Sequence, residues 1–204
     1  MMLHKISSTT GIIILAAGES SRLGSPKQLL DFKGKYLLQH IIDVAKDSLA
    51  AYMVLVLGAY AEEIEARLEL NKVDVIHNGA WKEGLSSSIR CGLEAMVQTH
   101  PETETVLFLL CDQPFLTTSV INQIIAKYIE SGKGIIASDY GQASGPPALF
   151  HKSMFAFLMQ LNGNQGAKSI MLQFPEELAY ADFPEGKIDI DTVSDYEIVK
   201  RNNF

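Results

Sequence analysis

Cysteine is scarce in this chain. It has two, Cys91 and Cys111, far apart, with no Cys-x-x-Cys pair and no histidine at ligand spacing. That excludes a disulfide framework and a structural zinc site and leaves both as reduced thiols. The five histidines (His4, His40, His77, His100, His151) are scattered, with no evident partners. Long apolar runs are also missing: none reaches the ~18 residues needed to span a membrane. The start, Met1-Met2-Leu3-His4-Lys5, lacks the apolar segment of a signal peptide, and Ile12 to Ala17 is too short to serve as one. A cytoplasmic location is the expectation. Positive charge is in deficit, 17 Lys and Arg against 24 Asp and Glu for a net charge of −7, so the basic face of a nucleic-acid binder is not expected. An anionic ligand has to be met by local cations or a metal ion.

What the chain does have is apolar material: 47% of its 204 residues are hydrophobic, enough for one well-packed domain over residues 1–204, with 1–10 as a flexible extension. Apolar runs at Ile12–Ala16, Met53–Leu57, Val73–Ile76, Val106–Leu110 and Gly134–Ala137 read as buried strands. Between them, Tyr36–Ala45, Ala61–Leu68, Ser88–Met96 and Val120–Tyr128 place apolar residues at helical spacing. Beyond Ala137 the pattern predicts short strands at Ala148–Phe150, Leu178–Ala181 and Lys187–Ile190. Helices are expected near Ser153–Gln160 and Ala167–Gln173, and a last one capped by Ser194. Alternating strands and helices imply an open, mostly parallel α/β sheet with ligands at the carboxyl ends of its strands.

The first such end carries the main chemical signal. The strand Gly11–Ala16 runs into Ala17-Gly18-Glu19-Ser20-Ser21-Arg22-Leu23-Gly24-Ser25-Pro26-Lys27. Small residues let backbone N–H groups approach an anion, and Arg22 and Lys27 supply charge, so phosphate binding is expected. The spacing fits neither the Walker loop nor the dinucleotide fingerprint. Asp112, just past Val106–Leu110, is placed to enter the ligand crevice and hold Mg²⁺ beside a triphosphate; the plainer alternative is a turn before Pro114. Alternation along Ile188-Asp189-Ile190-Asp191 sets Asp189 and Asp191 on one face. Either could complete the metal site, Asp189 being preferred, and the plainer alternative is a turn and a solvated edge. Ser86, Ser87 and Ser88 after Gly84 form a donor-rich helix start, suited to a base edge or phosphate or to ordinary capping.

Together these segments resemble the molybdopterin nucleotidyltransferases, from Ile12 to about Tyr196. The carriers are Leu15-Ala16-Ala17-Gly18-x-Ser20-x-Arg22-Leu23-Gly24-x-x-Lys27, Glu83-Gly84-Leu85-Ser86-Ser87-Ser88-Ile89-Arg90, Cys111-Asp112-Gln113-Pro114 and Ile188-Asp189-Ile190-Asp191-Thr192. The last three are most similar to the CTP-dependent branch. The resemblance implies a Rossmann-like three-layer α/β/α sandwich of the nucleotide-diphospho-sugar transferase type. It also implies transfer of CMP from CTP to molybdopterin or molybdenum cofactor with release of pyrophosphate, Mg²⁺ (with Mn²⁺ as substitute) as cofactor, and an apo-molybdoenzyme as a further partner. By the same resemblance Lys27, Arg22 and Asp112 are catalytic. Leu15, Ala16, Ala17, Gly18, Ser20, Ser21, Arg22, Lys27, Gly84, Ser86, Ser87 and Ser88 bind nucleotide, and Asp112, Asp189 and Asp191 bind metal. The acceptor side falls on Gly145, Pro146, Pro147, Asn164 and Lys168. There the chain departs from the branch, with Gly-Pro-Pro for Gly-His-Pro and Lys168 where Arg is usual. Rival expectations are GTP or another nucleotide with a different phosphorylated acceptor, and a non-catalytic accessory protein that binds molybdenum cofactor.

Overall fold

A computed structural model describes residues 9–203. In chain order its elements are β1 (Thr10–Ala16), β2 (Asp31–Phe32), β3 (Lys35–Tyr36), α1 (Leu37–Lys46), β4 (Tyr52–Leu57), α2 (Ala61–Glu65), β5 (Asp74–His77) and α3 (Leu85–Thr99). Then come β6 (Thr105–Leu110), α4 (Thr118–Ser131), β7 (Ile135–Asp139), β8 (Ser144–His151), α5 (Phe155–Leu158), α6 (Lys168–Gln173), β9 (Leu178–Asp182) and α7 (Val193–Asn203). Seven strands form one sheet in the order β5-β4-β1-β6-β8-β7-β9, and β2 and β3 pair separately. Within the large sheet β8 runs antiparallel to both neighbours and the other pairings are parallel.

Strand alternation divides the core. Ile12, Ile14 and Ala16 face one layer with Leu38, Ile41, Ile42, Ile121, Ile124 and Ile125 of α1 and α4. Ile13, Leu15 and Ala17 face the other with Ile89, Leu93 and Met96 of α3. Burying each of these large side chains contributes about 1.5–3 kcal/mol. The β1 run is therefore continuously apolar because both faces are covered. Gly92 lets α3 lie directly on the sheet: a Cβ there would come within 2.5 Å of Ile13 Cγ2 and 2.8 Å of Val56 Cγ2. This is the expected three-layer α/β/α sandwich.

The chain moves outward from β1 through β4 to β5, then α3 carries it back to β6 on the other side of β1. The crevice between the carboxyl ends of β1 and β6 is therefore the topological switch point, where such sheets bind ligands.

Three local expectations change. Residues 1–8 of the expected extension lie outside the described residues, and Thr10 belongs to β1, buried with its Oγ1 2.8 Å from Thr105 Oγ1. The segment Lys187–Ile190 is not a strand. A 3₁₀ turn over Pro184–Lys187 leads into irregular chain, whose Ile190 N–H donates to the Asp112 carbonyl at 2.9 Å. The alternation there reflects Ile188 and Ile190 packing into a small cluster with Phe32, Leu37 and Val199. Finally, α7 opens at Val193 and is capped by Thr192, not Ser194. Thr192 Oγ1 accepts from Asp195 N–H at 3.2 Å, and Asp195 Oδ2 accepts from Thr192 N–H at 2.8 Å. That reciprocal box satisfies N–H groups left open at the helix start.

Candidate active site

The loop after β1 is built to leave amides open. Ser20 adopts a left-handed φ of 57°, and its carbonyl accepts from Leu23 and Gly24 N–H at 2.9 and 3.3 Å. Its Oγ accepts from Lys27 N–H at 3.2 Å, closing the loop on itself. Buried Gln28 donates from Nε2 to the Ala16 and Gly18 carbonyls at 2.7 and 3.1 Å. Those carbonyls are thereby held by an internal donor, while the N–H groups of Gly18 to Arg22 take no partner among the described residues. A row of open amides beside two cations is an anion-binding arrangement.

Opposite, the end of β6 presents Cys111 and Asp112. A cavity of about 310 Å³ lies between the two strand ends, lined by Leu15–Gly18, Lys27 and Gln28 on one side and Leu110–Asp112 on the other, with Trp81, Gly84, Leu85 and Ser88 closing it. Sequence reasoning passed over Gln28, Trp81, Leu85 and Leu110, whose position beside the loop, the serines and Asp112 was the available signal.

Charge concentrates at this cavity. Lys27 Nζ lies 2.9 Å from Asp112 Oδ2 and 2.7 Å from Asp191 Oδ1, and Arg22 Nη2 lies 2.7 Å from Asp191 Oδ2. Burial works against the Lys27 ammonium, but Asp112 and Asp191 outweigh it and raise its pKa above the usual lysine value. Asp191 feels burial in the opposite sense, and Lys27 and Arg22 hold its carboxyl below the usual range. Asp189 is pushed above that range by partial burial and by the carboxylates of Asp112 and Asp191.

Among the described residues no three His, Cys, Asp or Glu side chains form a ready-made metal cage. One atom nevertheless calls for a cation: Asp112 Oδ1 is buried and has no partner. Three carboxylates against Lys27 and Arg22 leave excess negative charge. Asp112 and Asp189 therefore fit a divalent ion of the Mg²⁺ type, which takes one or two carboxylates and completes its shell with phosphates and water. Both Asp191 oxygens already meet cations.

The serines divide. Ser88 lines the cavity. Ser86 Oγ donates to the Gly163 carbonyl at 2.6 Å, and Ser87 Oγ donates to the Gly84 carbonyl at 2.8 Å while accepting from Asn78 Nδ2 at 2.9 Å. Their N–H groups go to the same two carbonyls. Ser86 thus fastens the loop around Gly163 to the helix start, and Ser87 ties that start to Gly84 and Asn78, instead of presenting donors to the cavity. Gly84, at φ 101°, permits that fit: a Cβ there would sit 2.3 Å from Asn164 Oδ1.

The five residues of the expected acceptor side separate into two places. Gly145, Pro146 and Pro147 open β8 and connect to the Asp112 loop through Gln113, which donates to the Pro146 carbonyl at 2.9 Å. Asn164 sits against Gly84, and Lys168 is exposed at the start of α6. None of the five lines the cavity.

Residues 12–178 match the MobA-like NTP transferase domain. Nicotine blue oxidoreductase of Paenarthrobacter nicotinovorans is 28% identical over 193 residues, covering 89% of this chain and 91% of that protein. A probable molybdenum cofactor guanylyltransferase of Bacillus cytotoxicus is 26% identical over 144 residues, 70% of this chain and 68% of that protein. The chain spans 29% of the length of the bifunctional protein GlmU of Cellvibrio japonicus, to which it is 29% identical over 136 residues, 66% of this chain. Among solved structures, the homolog of Mycobacterium tuberculosis Rv0371c from Mycobacterium sp. strain JC1 superposes with a TM-score of 0.83 at 28% identity, covering 96% of both chains.

Proposed function

The chain belongs to the MobA-like NTP transferase domain family, and from that premise we propose that it transfers CMP from CTP to the phosphate of molybdopterin or molybdenum cofactor. One observation carries the reading: the open-amide loop, entering at Gly18, and the Lys27–Asp112 pair border a single cavity on the switch point of the sheet. The relative described as a probable molybdenum cofactor guanylyltransferase supports the pterin acceptor. For the base, the reading rests on the resemblance of Glu83–Arg90 to the CTP-dependent branch, with Ser88 of that segment lining the cavity.

In this reaction an acceptor phosphate oxygen forms a bond to the α-phosphorus, the α–β P–O bond breaks, and pyrophosphate departs with the electron pair. The chain has no need of its own nucleophile; positioning and charge neutralisation are its work. The Gly18–Arg22 amides and the Arg22 guanidinium hold the β- and γ-phosphates. Lys27, protonated throughout the neutral range, turns from its carboxylates to the α-phosphate and meets the charge that develops there. Ser88, Trp81 and Leu85 border the nucleoside. Gly145–Pro147 borders the acceptor from the Asp112 side. Asp112 and Asp189 would hold Mg²⁺ or Mn²⁺, which supplies charge neutralisation for the triphosphate.

The test is pyrophosphate release from CTP, GTP, ATP and UTP, with Mg²⁺ and molybdopterin on a carrier protein. Release with CTP alone is expected. Release with GTP alone corrects the base. Silence with all four, alongside tight pterin binding, replaces the transferase with an accessory carrier for the cofactor.

A further inference from the structure

Gln113 follows the strand-end aspartate, and its side chain is 3% exposed. Its Nε2 faces three oxygens: the Gly186 carbonyl at 2.8 Å, the Pro146 carbonyl at 2.9 Å and the Tyr140 hydroxyl at 3.2 Å. The partners fix the orientation of the amide, because a flipped Oε1 would oppose two carbonyls that can only accept. Tyr140 in turn donates its hydroxyl proton to the Pro146 carbonyl. Burial pushes that phenol up to about 12, so it stays a neutral donor across the working range.

The three oxygens belong to three separate segments of the site wall. Tyr140 follows β7 directly, Pro146 lies on β8 in the segment assigned to the acceptor, and Gly186 lies in the 3₁₀ turn that leads into the irregular stretch with Asp189 and Asp191. A backbone bond from Ile190 N–H to the Asp112 carbonyl ties that stretch back to Gln113's own loop. Pro146 and Gly186 have no other side-chain donor in common among the described residues.

We propose that Gln113 is a positioning residue: its carboxamide sets the spacing between Asp112, the acceptor segment Gly145–Pro147 and the aspartates at 189 and 191. It does so without touching substrate, and none of its side-chain hydrogen bonds reaches the amide loop after β1 or the start of α3. The proposal rests on the transferase reading for its kinetic consequence and on the hydrogen bonds alone for its structural one.

The test compares the parent with Gln113→Glu, which keeps the shape and loses the donors, and Gln113→Met, which removes the polar group. With CTP, Mg²⁺ and carrier-bound molybdopterin, both variants should lose about tenfold or more in kcat or gain as much in acceptor KM. CTP affinity, measured by calorimetry without acceptor and without divalent metal, should stay within about twofold of the parent. Acceptor parameters unchanged in a folded variant, or CTP affinity falling in parallel with them, would overturn the proposal. If the parent transfers nothing, the transferase reading fails and amide hydrogen exchange decides the brace by itself. Faster exchange at residues 138–147 and 183–191, with β1 and β4 unchanged, supports it; parent-like exchange in both segments overturns it. If Gln113→Met does not fold, Gln113→Glu carries the same readouts.

Discussion

Replacing Lys27 by Met isolates what the ion pairs at the cavity are worth. Methionine keeps an unbranched stem for packing and removes the ammonium. At an effective dielectric of about 20, unit charges roughly 2.8 Å apart attract by about 6 kcal/mol before desolvation. The observed contacts are 2.9 Å to Asp112 and 2.7 Å to Asp191, with the side chains 13%, 18% and 32% exposed. Solvent recovers much of that attraction, and Asp191 retains Arg22. Asp112 retains no partner among the described residues, and stranding a largely buried charge costs about 3–5 kcal/mol at full burial. For this partly exposed trio we expect about 2–4 kcal/mol, a fall in Tm of about 5–10 °C at this chain length. The pH dependence has a definite sign. Lys27 is raised above its usual 10.5, so its contribution is complete below that value and is lost as pH rises through the native one. Asp191 is lowered below its usual 3.8, so its contribution is complete above 3.8 and is lost as pH falls through the native one. The Tm difference should therefore be flat from about pH 5 to about pH 9 and shrink at either extreme. Differential scanning calorimetry across that range checks it. The double variant with Asp112→Asn should cost less than the two singles summed, since the stranded charge is gone. A Lys27→Met protein melting within about 1 °C of the parent at neutral pH would refute the assignment of an energetically coupled trio.

Asp112→Asn should weaken Mn²⁺ binding in the presence of CTP by about tenfold or more, read by electron paramagnetic resonance; matching titrations would remove Asp112 as a ligand. Gly92→Ala should destabilise by about 1–3 kcal/mol in urea titration, because the clash with Ile13 and Val56 outweighs alanine's better helix propensity of about 1 kcal/mol. An unchanged midpoint would mean that α3 shifts freely on the sheet. Cys111 is buried with its thiol pushed up to about 12 by burial and by Asp112, so peptide mapping should find it unalkylated at neutral pH until the protein unfolds. Modification of Cys111 ahead of the half-buried Cys91 in native protein would contradict that placement.

Local pattern carried a large share of this structure. The run Ile12–Ala16 needed only its composition to be read as a doubly covered strand, and the small residues and cations after it marked an anion loop. Asp112 was legible because an aspartate two residues past the end of a buried strand has few places to point. These signals survive in one dimension because strand period, loop sterics and strand-end polarity are properties of neighbouring residues. The alternation at Ile188–Asp191 misled for the same reason: two isoleucines facing a small cluster have the period of a strand whether or not a partner strand exists.

Partnership across the chain belonged to the tertiary structure. Nothing near Lys27 foretells that its ammonium meets Asp112 and Asp191, 85 and 164 residues away. Nor does the triple serine reveal that Ser86 fastens the loop at Gly163 and Ser87 bonds Gly84, while of the three only Ser88 lines the cavity. Buried Gln28 and Gln113 had no signal beyond their neighbours, because a glutamine's role depends on which carbonyls the fold brings within reach. Sequence by itself determined the layers, the small-residue loop with its cations and the strand-end carboxylate, since each follows from local sterics and hydrophobic period. Only the tertiary structure decided how charges pair and which donors are already spent, because hydrogen bonds and ion pairs are set by distance in space, and folding chooses those distances.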